Sequence, residues 1–200
     1  MPDLTIYLCR HGDTAWSAER RLAGRTDLPL IEQGERNAVQ LGERLKAVPF
    51  TRVLVSPLQR ARRTAELAGM ENVELEGRLV EMNFGRYEGL TVNEIRRESP
   101  GWTYLREGCP EGESAEDLGR RADALLHELA PLRGKVALFA HSVMLRVLAA
   151  RFLGLVPEAG RNFMLSPGSI SILSHDPVED SPVIATWNDR AHLTGQDFLP

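Results

Sequence analysis

Arg10 and His11 stand side by side directly behind the apolar run Leu4–Leu8, where a strand should end. An imidazole at the C-terminal mouth of a buried strand is held rigidly and can face a crevice, which is where ligands gather in α/β sheets. The adjacent guanidinium suits a doubly charged oxyanion such as a phosphoryl group. Taken alone, Arg10-His11-Gly12 reads equally well as a surface turn closed by Gly12, so the chemistry depends on partners.

Two further segments supply them. Arg52–Ser56 reads as a second buried strand, and Ser56-Pro57 as an N-cap with proline at the first helical position of a helix that stops near Gly69. Arg60 lies in that first turn and shares a face with Thr64, whereas Arg62 and Arg63 point away and read as a solvated basic face. A third strand, Lys135–Ala140, ends on His141 and leads into the apolar segment Val143–Leu153. That repeats the placement of His11, with the N–H groups of a new helix directed at the same space. Two histidines at the ends of two strands, together with two arginines, outweigh the reading of either histidine as a core residue.

Arg10-His11-Gly12, then Ser56-Pro57-Leu58-Gln59-Arg60-Ala61 with Thr64-Ala65, then Glu81 in Leu79-Val80-Glu81-Met82-Asn83-Phe84-Gly85, then Ala140-His141 occur in one order along nearly the whole chain. In these motifs the chain resembles the histidine phosphatase superfamily, the phosphoglycerate mutase-like enzymes. The resemblance implies that His11 is the nucleophile and becomes a phosphohistidine, and that Arg10, Arg60 and His141 clamp the phosphoryl oxygens. It makes Glu81 the acid for the leaving alcohol and the base for the attacking water. Ser17, Gly24 and Ser142 join the substrate-binding set by the same resemblance. Unaided phosphate monoester hydrolysis is slow enough to need up to ~10²¹-fold acceleration, so charge stabilisation around phosphorus is compulsory. Covalent capture divides the reaction into two easier steps. Glu81 must carry a proton in the first, so burial or a neighbouring phosphate should raise its pKa. Glu88 is a rival acid in sequence, read here as a loop-packing or capping residue.

The chain departs from the family pattern at several positions. Asp13 replaces a common glutamate, and Ser17 stands where asparagine is usual, so one phosphate bond must come from a shorter hydroxyl or through water. Ser142 replaces a usual glycine, which would cost energy if the backbone there needed positive φ. Ile31 sits where a threonine often caps the next helix and cannot cap. None of these removes a catalytic group.

The short stretch 82–140 between Glu81 and His141 resembles the phosphatase branch rather than the mutases, whose insertion there covers the site. Residues 102–114 and 139–154 are similar to broad acid phosphatases and sedoheptulose-bisphosphatase-like enzymes. The implied reaction is metal-independent hydrolysis of small phosphorylated metabolites, sugar phosphates first among them. A bisphosphoglycerate-primed mutase and a catalytically inactive phospho-ligand binder are the alternatives. The leaving-group pocket should come from 20–28 and 86–104, where Arg21, Arg25 and Arg86 could hold a second phosphate or be solvated.

Composition bounds the rest. Two hundred residues with 42% apolar content suffice for one core, and no linker, repeat or low-complexity stretch divides residues 1–200, read as a single domain. The expected fold is a three-layer α/β/α sandwich on a mainly parallel mixed sheet. Ala38, Leu41, Leu45 and Val48 form one helical stripe, and Leu118, Ala122, Leu125 and Leu129 another behind a cap at Ser114, leaving His127 on the surface. Ser169–Ser174 alternates as a strand, and Pro182–Trp187 can pair with it antiparallel. A net charge of −4 argues against nucleic-acid partners, so the local arginines must attract an anionic substrate. No leader or span long enough for a bilayer is apparent, which points to a cytoplasmic enzyme with no membrane partner. Cys9 and Cys109 lack paired spacing, and five scattered histidines do not build a metal site, so neither a disulfide, a metal nor a cofactor is expected. Exposed apolar residues near the C-terminus offer a homodimer contact.

Overall fold

A computed structural model describes residues 4–193. Six strands form one mixed sheet: β1 (Leu4–Arg10), β2 (Phe50–Val55), β3 (Val73–Leu75), β4 (Gly134–Ala140), β5 (Ile170–Asp176) and β6 (Ser181–Asp189), in the order β3-β2-β4-β1-β5-β6. The first four are parallel; β5 adds antiparallel to β1, and β6 pairs antiparallel with β5, as the alternation at Ser169–Ser174 suggested.

Helices cover both faces, and strand periodicity explains how. Along β1, Leu4, Ile6 and Leu8 point to one side, where α6 (Ala115–Leu129) and α7 (Ser142–Phe152) bury Leu118, Leu125, Met144 and Leu148. Cys9, with Val53, Val55, Ala137 and Phe139, points to the other, against Leu41 and Leu45 of α2 (Glu32–Leu45) and Ala61 and Ala65 of α3 (Gln59–Leu67). Two cores separated by the sheet make the three layers. Short helices α1 (Ala15–Ala18), α4 (Val92–Glu98) and α5 (Tyr104–Glu107) lie in the connections.

Several details differ from expectation. Val48 lies beyond the end of α2 and is only half-buried, because the chain turns at Lys46. Strand β3 has no sequence signature: its three residues are all exposed at the sheet edge, so no face alternates. Ser114 caps α6 as expected, in a reciprocal capping box with Asp117, and His127 is exposed. His192 Nε2 bonds to the Gly168 carbonyl at 2.9 Å, and His175 packs edge-on to Phe152. The C-terminal residues invoked for a dimer contact extend past 193, outside the described residues.

The register sets the site. Arg10 pairs with Ala140 and Val55 with Phe139, so β1, β2 and β4 end at one level. The residues that follow, His11, Ser56 and His141, therefore emerge together at the C-terminal edge of the parallel sheet.

Candidate active site

His11 is 5% exposed, which excludes the surface-turn reading of Arg10-His11-Gly12. Its backbone N–H donates to the Ala140 carbonyl at 3.0 Å, and its carbonyl accepts from Gly168 N at 3.0 Å. Gly12 is needed for close approach rather than for a turn: a Cβ there would lie 2.3 Å from the Gly34 carbonyl oxygen of α2. Gly12 N–H donates to Thr64 Oγ1 at 3.1 Å, tying the loop to α3.

Nδ1 of His11 lies 2.7 Å from the Gly12 carbonyl oxygen. A carbonyl only accepts, so Nδ1 carries the hydrogen and Nε2 is the free basic nitrogen. Burial, then the charges of Arg60 and Arg10, hold the imidazole well below the usual histidine range, and the ring is neutral at pH 7. The His141 ring is 5.1 Å away, centroid to centroid, at 56°. Its Nδ1 accepts from Arg60 Nε at 3.1 Å, so its Nε2 carries the hydrogen and donates to Ser56 Oγ at 2.7 Å. Burial and Arg60 depress its pKa in the same direction.

Arg60 is fully buried. Besides the bond to His141, Nη1 donates to Thr26 O at 2.9 Å and Nη2 to Ala23 O at 3.1 Å and Gly24 O at 2.8 Å. Four of five guanidinium N–H groups are therefore committed, one from Nε, one from Nη1 and two from Nη2. The 23–26 loop is itself held by Glu88, whose carboxylate accepts from Arg25 N at 2.9 Å, Thr26 Oγ1 at 2.9 Å and Gly24 N at 3.1 Å. Glu88 thus serves the loop, and the Gly24 N–H is engaged by it. A Cβ at Gly24 would meet the Met82 carbonyl oxygen at 2.1 Å.

Arg10, the last residue of β1, donates through Nη1 to the Leu165 carbonyl, while its buried Nε bonds to nothing among the described residues. Burial lowers its pKa to about 10, against the favourable charges of Glu81 and Asp13, and it stays cationic at pH 7. Glu81 is 4% exposed. Its Oε2 accepts from Val143 N at 2.9 Å, and its Oε1 from Met144 N at 3.0 Å and Met82 N at 2.9 Å. The carboxylate sits at the N-terminus of the helix that His141 begins, where the free N–H groups and the helix dipole favour negative charge.

Ser56 is not the N-cap of α3. That helix opens at Gln59 with Leu58 in the cap position, and Ser56 instead meets His141. The Gln59 N–H is satisfied by Asp27 Oδ1 at 2.8 Å, a partner 32 residues distant that no local signal reveals. Ile31 precedes α2 without a side-chain cap, as expected. Ser142 occupies the first helical position of α7 and is not among the residues with positive φ, so the replacement of glycine there carries no strain. Ser17 forms a reciprocal capping box with Thr14 in α1, its Oγ accepting from Thr14 N at 2.8 Å. Asp13 Oδ2 accepts from Asn37 Nδ2 at 2.9 Å. Sequence reasoning missed the parts played by Ser56 and Asp27; for Thr64, the shared face with Arg60 was the available signal.

A mixed α/β sandwich with two histidines, two arginines and a carboxylate at one edge of its parallel strands defines an enzyme of the phosphatase class. The chain belongs to the histidine phosphatase superfamily (branch 1), whose family model matches residues 6–190. It is 35% identical to a probable phosphoglycerate mutase, GpmB, of Klebsiella pneumoniae, over 95% of each chain. The solved structure of the open reading frame Rv3214 of Mycobacterium tuberculosis is 31% identical and superposes with a TM-score of 0.88, over 92% of this chain and 96% of that one. The phosphoserine phosphatase of Entamoeba histolytica, solved with 3-phosphoglyceric acid, is 25% identical with a TM-score of 0.81, over 94% and 98% of the two chains.

Proposed function

We propose that this protein hydrolyses small phosphate monoesters, sugar phosphates among them, through a phosphohistidine on His11. The observation that supports this most directly is the bond from His11 Nδ1–H to the Gly12 carbonyl, which directs the basic lone pair to Nε2. That lone pair attacks phosphorus, and the bond from phosphorus to the ester oxygen breaks. In this step Glu81 acts as the acid and gives a proton to the departing alkoxide. Water then enters, Glu81 takes one of its protons, the oxygen bonds to phosphorus and the N–P bond breaks. Phosphate leaves, and His11 returns neutral. Arg10, whose buried Nε has no partner among the described residues, and the remaining N–H of Arg60 oppose the charge on the equatorial oxygens. In this reading Ser142 extends that donor set, and His141 does so once its Nε2–H exchanges Ser56 Oγ for a phosphoryl oxygen, while the Gly24 N–H and the Ser17 hydroxyl are already held by Glu88 and the Thr14 carbonyl.

The steps require no metal. Cys9 is buried and Cys109 half-buried, both as free thiols, and no helix among the described residues is long and apolar enough to cross a membrane. In this reading the enzyme works in the cytoplasm on small phosphorylated metabolites.

A second reading is favoured by the name of the curated relatives, probable phosphoglycerate mutase. One experiment separates the two: phosphate release from a panel of monoesters in EDTA, alongside 3-phosphoglycerate isomerisation primed with bisphosphoglycerate, for wild type and His11→Ala. EDTA-resistant release that disappears in the variant supports hydrolysis through His11. Primed isomerisation without release selects the mutase, and inactivity in both assays selects a phospho-ligand binder.

A further inference from the structure

The arginines that could recognise a leaving group divide into two sets. Arg21 pairs with Glu19 at 2.7 Å and approaches Glu94, Arg25 pairs with Glu113 at 3.3 Å, and Arg86 pairs with Glu111. Each already faces a carboxylate. Arg146 differs: its partners among the described residues are neutral, Nε donating to Gly160 O at 2.9 Å and Nη1 to the Tyr104 hydroxyl at 2.7 Å. Its guanidinium carbon also lies 5.9 Å from the centre of the Tyr104 ring. These contacts orient the cation without neutralising it, and among the described residues Nη2 meets no acceptor and keeps both hydrogens to donate.

The position is on the acid's side of the site. Arg146 follows Ser142 by four residues and Val143 by three, so it continues the face of α7 whose first turn binds Glu81. Tyr104 comes from the other side, its ring edge-on to Phe84 at 5.8 Å, three residues beyond Glu81. Both therefore attach to the elements that hold the proton donor for the leaving oxygen. The charge of Arg146 is felt at Arg10, where it adds to burial in lowering the pKa. Two guanidiniums that repel one another, one of them with no carboxylate partner among the described residues, suit a ligand negative at both ends.

We infer that Arg146, oriented by Tyr104, binds a second anionic group on the leaving alcohol, a carboxylate or a second phosphate. The preferred substrates are then phosphomonoesters of acidic alcohols, an inference that rests on the phosphatase reading above. A neutral leaving group forgoes the contact.

The test compares kcat/KM for 3-phosphoglycerate and fructose 1,6-bisphosphate, each divided by that for phenyl phosphate, in wild type, Arg146→Gln and Tyr104→Phe. A charge-assisted contact corresponds to about 10–100-fold in this ratio for Arg146→Gln. The fall should appear mainly in KM, with a smaller change of the same sign for Tyr104→Phe. A fall confined to the first substrate assigns a carboxylate, and one confined to the second assigns a phosphate. Ratios unchanged for both substrates overturn the proposal. Calorimetric binding of 3-phosphoglycerate and of the bisphosphate to His11→Ala, with and without Arg146→Gln, keeps the two inferences distinct. Weaker binding of either ligand in the double variant supports the subsite even if wild type hydrolyses nothing, which would overturn only the phosphatase reading. Equal binding of both ligands overturns the subsite.

Discussion

Arg60 donates its Nε–H to Nδ1 of His141 at 3.1 Å. The bond decides which histidine nitrogen carries the hydrogen, and it joins a helix after β2 to the end of β4. Since the remaining bonds of Arg60 run to carbonyls of the 23–26 loop, one buried cation organises three segments around the site.

Arg60→Lys should therefore be far from conservative. An ammonium cannot reproduce a planar fork that reaches His141 and three carbonyls, and unsatisfied buried acceptors would remain. We expect kcat/KM to fall about 10²–10³-fold and stability by about 2–5 kcal/mol. Steady-state kinetics and urea melts check the two parts separately; wild-type activity in the lysine variant would refute the organising role.

Stability should decline as pH falls below the ordinary histidine value of about 6.5. His11 and His141 have folded pKa values pushed well below their unfolded ones. Below about 6.5 the unfolded chain consequently binds more protons than the folded one, and acid favours unfolding. Above that value both states are neutral at these rings and the contribution is flat. Each histidine adds up to about 1.4 kcal/mol per pH unit in the acid window. Urea melts between pH 7.5 and 5 should show the slope, and His11→Asn and His141→Asn should each reduce it. An identical slope in both variants would contradict the assignment.

Glu81→Gln should separate the chemical role of Glu81 from its structural one. Glutamine still offers one oxygen to the N-terminus of α7 but cannot transfer the proton. Turnover of alkyl phosphates should drop about 10²–10⁴-fold. For p-nitrophenyl phosphate, whose leaving group needs no protonation, formation of the phosphoenzyme should be affected far less, visible as a rapid initial burst. Glu81→Ala additionally leaves Val143 N and Met144 N without their acceptor and should lose about 1–2 kcal/mol in a denaturant melt.

Gly12→Ala should displace the nucleophile although it adds only one carbon. The new Cβ would overlap the Gly34 carbonyl, part of a helix backbone that cannot rotate away. Overpacking of this kind costs about 1–3 kcal/mol. Loss of activity should accompany loss of stability, whereas Gly77→Ala, where a Cβ meets no atom within 4 Å, should change neither by much.

Glu88→Ala should act on Arg60 from a distance. Without its carboxylate the N–H groups of Gly24 and Arg25 lose their acceptor, and the loop whose carbonyls fix the guanidinium loosens. We expect kcat/KM to fall about 10-fold or more, with partial recovery in Glu88→Gln, which keeps one acceptor oxygen. Equal activity of Glu88→Ala and wild type would show that the loop is held without Glu88.

Much of this protein follows from short-range pattern. The runs that became β1, β2 and β4 are apolar because both faces of a central parallel strand are covered, and alternation at Ser169–Ser174 marks a strand nearer the edge. The stripe from Leu118 to Leu129 and the cap at Ser114 are likewise local, since one helical turn or one reciprocal hydrogen-bond pair suffices to form them. The order of Arg10-His11, Arg60, Glu81 and His141 was enough to recognise the superfamily. What these residues do to one another depended on tertiary structure. Strand register brought Ser56 Oγ to His141, when its position before proline suggested a cap, and Asp27 capped α3 from a distant loop. The neutrality of both histidines and the neutral partners of Arg146 among the described residues arise from burial and from groups far apart in sequence, and the choice of Nε2 on His11 from the way the packed loop turns the Gly12 carbonyl onto Nδ1. Local pattern encodes which face a side chain takes, whereas electrostatic state and hydrogen-bond partner are properties of the packed whole.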